Sequence, residues 1–287
     1  MEKREPPSYS AWPGRSNNNN REKQELASTS ASTTTNTDTS ISTEILVPTF
    51  QTKFASLSLH QNDKLRLLDF PDEAAEVIKL AISTGWPHGL QEHRTVHNSL
   101  ELKLKGHPWL GLGTDSMHAR RLMRQIFHHL FDAGWILSLS TDVSKKTRDK
   151  DTLIFRYQSP PPKPRDWICV AFSKKDRLRL MDAPIEVTNA VHEQIRDQIQ
   201  EIVAHPLPGV WEAKLKGWPW SPLRDGEDVM NTRRLLLRLF AILENHGFTV
   251  YASIDQKADI DSERSETDTW HCCRLKDWER GAPVYHA

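Results

Sequence analysis

The chain has 287 residues, 37% hydrophobic and 26% charged, enough for two domains and typical of soluble globular proteins. Its 38 Lys and Arg balance 38 Asp and Glu, which argues against a bulk polyanion partner. Three cysteines, two of them adjacent, exclude a disulfide framework, and no apolar run approaches the ~20 residues of a membrane helix.

"MEKREPPSYS" holds no hydrophobic core for a signal peptide, so the expectation is an intracellular protein, cytoplasmic or nuclear. Residues 1–53, with "SNNNN" and "ASTSASTTTNTDTS", are polar and low in complexity. Such a segment buries too little surface to offset chain entropy, and a disordered tail is expected. It reads as a passive tail or as a phosphorylated regulatory one.

From Phe54 the pattern changes. Ala55, Leu57 and Leu59 alternate with polar residues, predicting a strand, and "KLRLL" predicts a second. "DFP" then opens a helix through "DEAAEVIKLAIS", since proline is tolerated in a first turn. "GLQEHRTVHNSL" reads as a loop. Leu100, Leu102 and Leu104 alternate with Glu101, Lys103 and Lys105, a strand with a charged outer face that Gly106 and Pro108 end. Ala119, Leu122, Met123, Ile126, Phe127 and Leu130 form the apolar stripe of another helix, and Gly134 sits at its left-handed C-terminal cap. "WILSLSTDV" and "DTLIFRYQ" are further strands.

The same series then begins again. "DKLRLLDFP" recurs as "DRLRLMDAP", identical at six of nine positions after a shift of 113 residues. "LKLKGHPW" recurs as "AKLKGWPW" at a shift of 111, and "RRLMRQIF" as "RRLLLRLF" at 113. So long a period excludes a solenoid and indicates a duplicated domain. The second copy carries strands at Trp167, "RLRLM", Trp211–Leu215, "FTVYASID" and "DTWHCCRL". "IEVTNAVHEQIRDQIQEIVA" reads as one helix, and Gly247 caps the last helix. The expected fold class is α+β: two tandem two-layer α/β sandwich units, approximately ββαβαββ, after the tail. The expected domains are 54–166 and 167–278, with a short tail at 279–287. "SPPPKPR" between them is expected to be a stiff spacer rather than a polyproline ligand.

Chemistry-bearing motifs are sparse. No nucleophile elbow, P-loop or dinucleotide fingerprint occurs, and "GLGTDS" reads as a turn whose Thr114, Asp115 or Ser116 caps a helix. His93, His97, His128 and His129 lack zinc-like spacing and have no counterparts in the second copy, so neither metal nor cofactor is expected. Carboxylates recur at Asp63/Asp176, Asp69/Asp182, Glu101/Glu212 and Asp142/Asp255, where turns supply a local reason for the aspartates.

Basic residues are the best binding candidates. Lys103, Lys105, Lys214 and Lys216 line strands, while Arg120, Arg121, Arg233 and Arg234 lie early in matching helices, where the dipole favours anions. Lys145, Lys146, Arg148 and Lys150 cluster in "SKKTRDK". Residues 54–166 hold 16 Lys and Arg against 13 Asp and Glu, or +3; residues 167–287 hold 16 against 19, or −3. That weak basic bias disfavours nucleic acid. The expectation is a non-enzymatic protein-interaction or scaffold module, with self-association through oppositely charged units or another protein partner. The alternatives are a phosphate-bearing ligand (RNA or an anionic lipid headgroup) on the basic residues, and an enzyme with a cleft between the units.

Overall fold

The computed structural model describes residues 51–111, 113–141, 151–221, 226–255 and 268–284. Residues 1–50 of the expected N-terminal tail and the basic "SKKTRDK" loop lie outside the described residues.

The first repeat comprises β1 (Phe54–His60), β2 (Lys64–Leu68), α1 (Asp72–Gly85), β3 (Leu90–Val96), β4 (Ser99–Leu104), α2 (Asp115–Asp132), β5 (Trp135–Thr141) and β6 (Thr152–Tyr157). The second comprises β7 (Arg165–Ser173), β8 (Arg177–Met181), α3 (Ile185–Gln194), β9 (Ile199–Val203), β10 (Val210–Leu215), α4 (Glu227–Glu244), β11 (Thr249–Ile254) and β12 (Thr269–Leu275). Each repeat forms one six-stranded antiparallel sheet. The orders β3-β4-β2-β1-β6-β5 and β9-β10-β8-β7-β12-β11 are the same, so the duplication extends to topology. The α+β class and the tandem copies are as expected.

The element series is ββαββαββ, one strand richer per repeat than the sequence pattern indicates. The stretch read as a loop is β3, which turns into β4 at His97 and Asn98, both with positive φ. The long helix expected from Ile185 stops at Gln194, and "IQEIV" becomes β9. Both missed strands are sheet edges whose side chains are almost all exposed. An edge strand with no buried face shows no apolar alternation.

The twice-written Lys-Gly-x-Pro-Trp phrase is the stopper of the central strands. Trp109 is fully buried; its Nε1–H donates to the Lys64 carbonyl at 3.0 Å and its backbone N–H to the Asn62 carbonyl at 3.1 Å. Trp220 repeats this with the Arg177 carbonyl at 2.9 Å and the Lys175 carbonyl at 3.1 Å. Each indole therefore closes the β1–β2 or β7–β8 turn while burying its ring. Gly134 and Gly247 take φ of +86° and +81°, as the helix-capping role demands. Thr114 precedes α2 without a side-chain capping bond; Ser116 Oγ instead donates to the Gly113 carbonyl.

Both helices of a repeat pack on the same face of its sheet. In the first repeat Leu57, Leu65, Leu102 and Phe155 of the sheet meet Ile78, Leu122, Ile126 and Leu130 of the helices. Val170, Leu178, Leu180 and Ala213 meet Val187, Leu235, Leu239 and Ile242 in the second. Trp109→Ala is expected to cost about 3–5 kcal/mol in urea unfolding, and Trp220→Ala less because its ring is partly exposed.

Candidate functional site

The outward face of the second sheet is also covered, and α2 of the first repeat covers it. Besides the stripe that packs on its own sheet, α2 carries a second one made of Met117, Arg120, Arg121, Arg124, Phe127, His128 and Phe131. Met117 packs against Cys169, Ala171 and Met181. Phe127 meets His271 and Tyr251 edge-on at centroid distances of 5.0 and 5.7 Å, and Phe131 meets Trp167 at 5.6 Å. The layers therefore run sheet, helices, sheet, helices.

Arginines pin this contact. Arg120, buried, donates to Thr269 Oγ1 at 3.0 Å and to the Ser116 carbonyl at 2.9 Å. Arg121 grips the Asp182 carboxylate with two bonds of 3.0 and 2.8 Å and also reaches the Pro208 carbonyl. Arg124 pairs with the same carboxylate at 3.1 Å and donates to the Trp167 carbonyl. Asp182 has φ of +56°, a conformation aspartate tolerates better than most residues. At the edge of the contact, Leu137 N–H donates to Tyr251 Oη at 2.6 Å and Asp255 N–H to the Asp151 carboxylate at 3.2 Å.

Cys169 and His271 meet within the contact, with Sγ 3.4 Å from Nδ1. The pairing resembles a nucleophile and its base, but burial pushes the thiol up to about 12 and the imidazole down to about 3, the latter helped by Arg124 and Arg120. Both groups stay neutral, so no thiolate–imidazolium pair forms. Among the described residues no three His, Cys, Asp or Glu come together as metal ligands.

A charged cluster recurs on the two sheets. Glu101 is 1% exposed and accepts from Arg66 at 2.9 Å, Arg94 at 2.8 Å and Lys64 at 3.3 Å. Glu212 accepts from Arg177 at 3.1 Å and Arg179 at 2.6 Å. Lys64 and Arg66 correspond to Arg177 and Arg179. Burial alone raises the Glu101 carboxyl, but the bonds from Arg66, Arg94 and Lys64 outweigh it and hold it at about 2. These glutamates, read from sequence as solvent-facing, are roofed by cations.

Beside Phe54 a cleft of about 790 Å³ opens between β1, the start of α1 and β6. Phe70, Trp135 and Tyr157 line it, with Lys53, Asp69 and Glu73. The matching place in the second repeat is filled from within. Arg274, at the position of Tyr157, lies 4.5 Å over the Phe248 ring and pairs with Asp166 at 3.3 Å and Glu186 at 3.8 Å.

The basic residues singled out from sequence are scattered. Arg120 and Arg121 are engaged between the repeats rather than with solvent. Their counterparts Arg233 and Arg234 are exposed on α4. Lys103 and Lys214 sit half-buried on β4 and β10; Lys105 and Lys216 are exposed just beyond, and Lys216 bonds the Asp197 carbonyl. Lys145, Lys146, Arg148 and Lys150 lie outside the described residues, as does Asp142. His93 and His97 are exposed on the β3–β4 hairpin. His128 is half-buried, its ring tilted 33° to that of Trp167 at a centroid distance of 6.3 Å. The second stripe of α2 escaped sequence reading because three arginines and a histidine resemble a solvated face; the available signal was Met117 and Phe131, at helical spacing beyond the main stripe.

The molecule is thus a duplicated α+β protein whose copies stack helix layer against sheet. One domain-family model matches it twice, over residues 53–156 and 166–273, more than half of the 287 residues, and the chain belongs to that family. No curated protein and no solved structure matches it significantly. No helix among the described residues is long and apolar enough to cross a membrane.

Asp182→Asn keeps the left-handed backbone but removes the charge facing two arginines, and about 1–3 kcal/mol of stability should go in chemical denaturation. The same change at the exposed Asp69 should stay within about 0.5 kcal/mol. His271 sets a pH dependence. Its imidazole titrates near 6.5 when unfolded and near 3 when folded, so only the unfolded chain takes up the proton between those values. Stability should be full above pH 6.5 and fall steadily toward pH 3, and His271→Gln should flatten that part of the denaturation profile.

Proposed function

We propose that this chain is a non-enzymatic protein-interaction or scaffold module. One observation carries the reading: the two surfaces that match the halves of the internal contact are covered by no described residue, and both carry exposed large apolar side chains. On the outward face of the first sheet Phe54, Leu68 and Leu139 are exposed; on α4, Met230, Leu237 and Phe240 are. These six are most of the ten large apolar side chains exposed among the described residues, concentrated on two faces. Such concentration marks interaction surfaces more than scattered exposure does.

The neutral Cys169–His271 pair, enclosed between layers, supports a structural use for the residues that most resemble catalytic groups. The phosphate-ligand reading is weakened because Arg120 and Arg121 serve the internal contact and the remaining described basic candidates lie on separate surfaces.

A photo-crosslinking residue placed at Ser56, at Leu237 and, as a control, at the exposed Glu193 of α3 tests the proposal in cells. Polypeptide adducts at the first two positions and not the third are expected. Adducts spread evenly over all three, or none at Ser56 and Leu237, would overturn it.

A further inference from the structure

We infer that the partner is a second copy of this chain, α4 of one molecule docking on the first sheet of the next as α2 docks on the second sheet within each. This rests on the interaction-module reading and names its partner.

The internal contact supplies the template, and both of its halves recur at the free ends. On the helix side, Met117, Arg120, Arg121 and Phe127 correspond to Met230, Arg233, Arg234 and Phe240, identical residue for residue and exposed on α4. On the sheet side, Arg121 is received by Asp182 and Arg120 by Thr269. Asp69 corresponds to Asp182. Thr152 corresponds to Thr269, because Thr152 stands across from Ser58 as Thr269 stands across from Ala171. The polar pins and their receivers are therefore retained where, among the described residues, no contact inside the chain brings them together.

The apolar surround matches as well. Trp167 and Met181 of the covered face correspond to Phe54 and Leu68, which are 53% and 43% exposed. In the row across the open sheet, Leu139 stands opposite Ile154, Ile154 opposite Ser56 and Ser56 opposite Leu68, a row, apolar except at Ser56, where α4 would lie. The net charges of +3 and −3 on the two repeats favour meeting end to end over meeting like to like. A helix face on a sheet face is a heterologous contact, so association extends by single chains unless the rotation closes a ring.

One departure from the template makes the idea sharply testable. Arg124, which reinforces Arg121 on Asp182, is replaced on α4 by Leu237, 68% exposed. At this position Glu would face Asp69 of the next chain, and Arg would restore the template.

Purified full-length protein is followed by sedimentation velocity and light scattering over a range of concentrations. The wild type should exceed its 33.0 kDa chain mass as concentration rises. Leu237→Glu, blocking the helix end, and Ser56→Arg, blocking the sheet end, should each remain monomeric with unchanged circular dichroism. Mixed together they should form a complex of two chains and grow no further, since one open helix end meets one open sheet end. Leu237→Arg should associate more tightly than the wild type, a direction that simple loss of apolar surface does not produce.

A wild type that stays monomeric throughout, a mixture of blocked variants that does not pair, or an equal weakening by Arg and Glu would each overturn the inference. If the purified chain is monomeric while crosslinks at Ser56 and Leu237 lead to a different polypeptide, the module reading stands and the second copy falls.

Discussion

A β-sheet has two faces, and the second sheet of this protein can bury both only because α2 has two usable sides. One stripe of that helix seats it on its own sheet through Leu122, Ile126 and Leu130. The other stripe lies on its neighbour's sheet through Met117, Phe127 and Phe131. Two sandwiches joined by a seven-residue proline-rich segment would otherwise be independent bodies. Sharing one helix layer makes the described part of the repeats a single stack.

The arginines within that stack show how charge is reconciled with burial. Arg120 is buried and Arg121 and Arg124 are half-buried, and each finds acceptors in the opposing repeat: a threonine hydroxyl, a carboxylate held in a left-handed turn, and a backbone carbonyl. An unpaired guanidinium there would be costly. Glu101 and Glu212 solve the mirror problem on the two sheets, where cations close over an acid. In both cases the charge specifies geometry, because only one register of helix on sheet, or of strand on strand, brings donors and acceptors together.

Duplication followed by divergence left the two copies unequal at the surfaces that distinguish them. The covered sheet face presents Trp167, Cys169 and Ala171, whereas the open one presents Phe54, Ser56 and Ser58 at the same places. The cleft beside Phe54 is open in the first repeat, while Arg274 fills its counterpart in the second. The inner faces changed less: leucines and the plugging tryptophans persist because close packing tolerates little change in volume.

The sequence by itself determined the duplication, the class of the fold, both helices of each copy and five of its six strands. Repetition at a near-constant shift and apolar periodicity are local signals. They record which side of an element faces its own core, and a half-buried strand or an amphipathic helix cannot conceal that. The edge strands β3 and β9 left no such trace because neither buries a face. Tertiary structure alone decided that the arginine side of α2 is an interface, that Glu101 is buried, and that Cys169 meets His271 across 102 residues. A charged side chain reads the same in sequence whether it faces water or a partner, and only the folded chain supplies the partner.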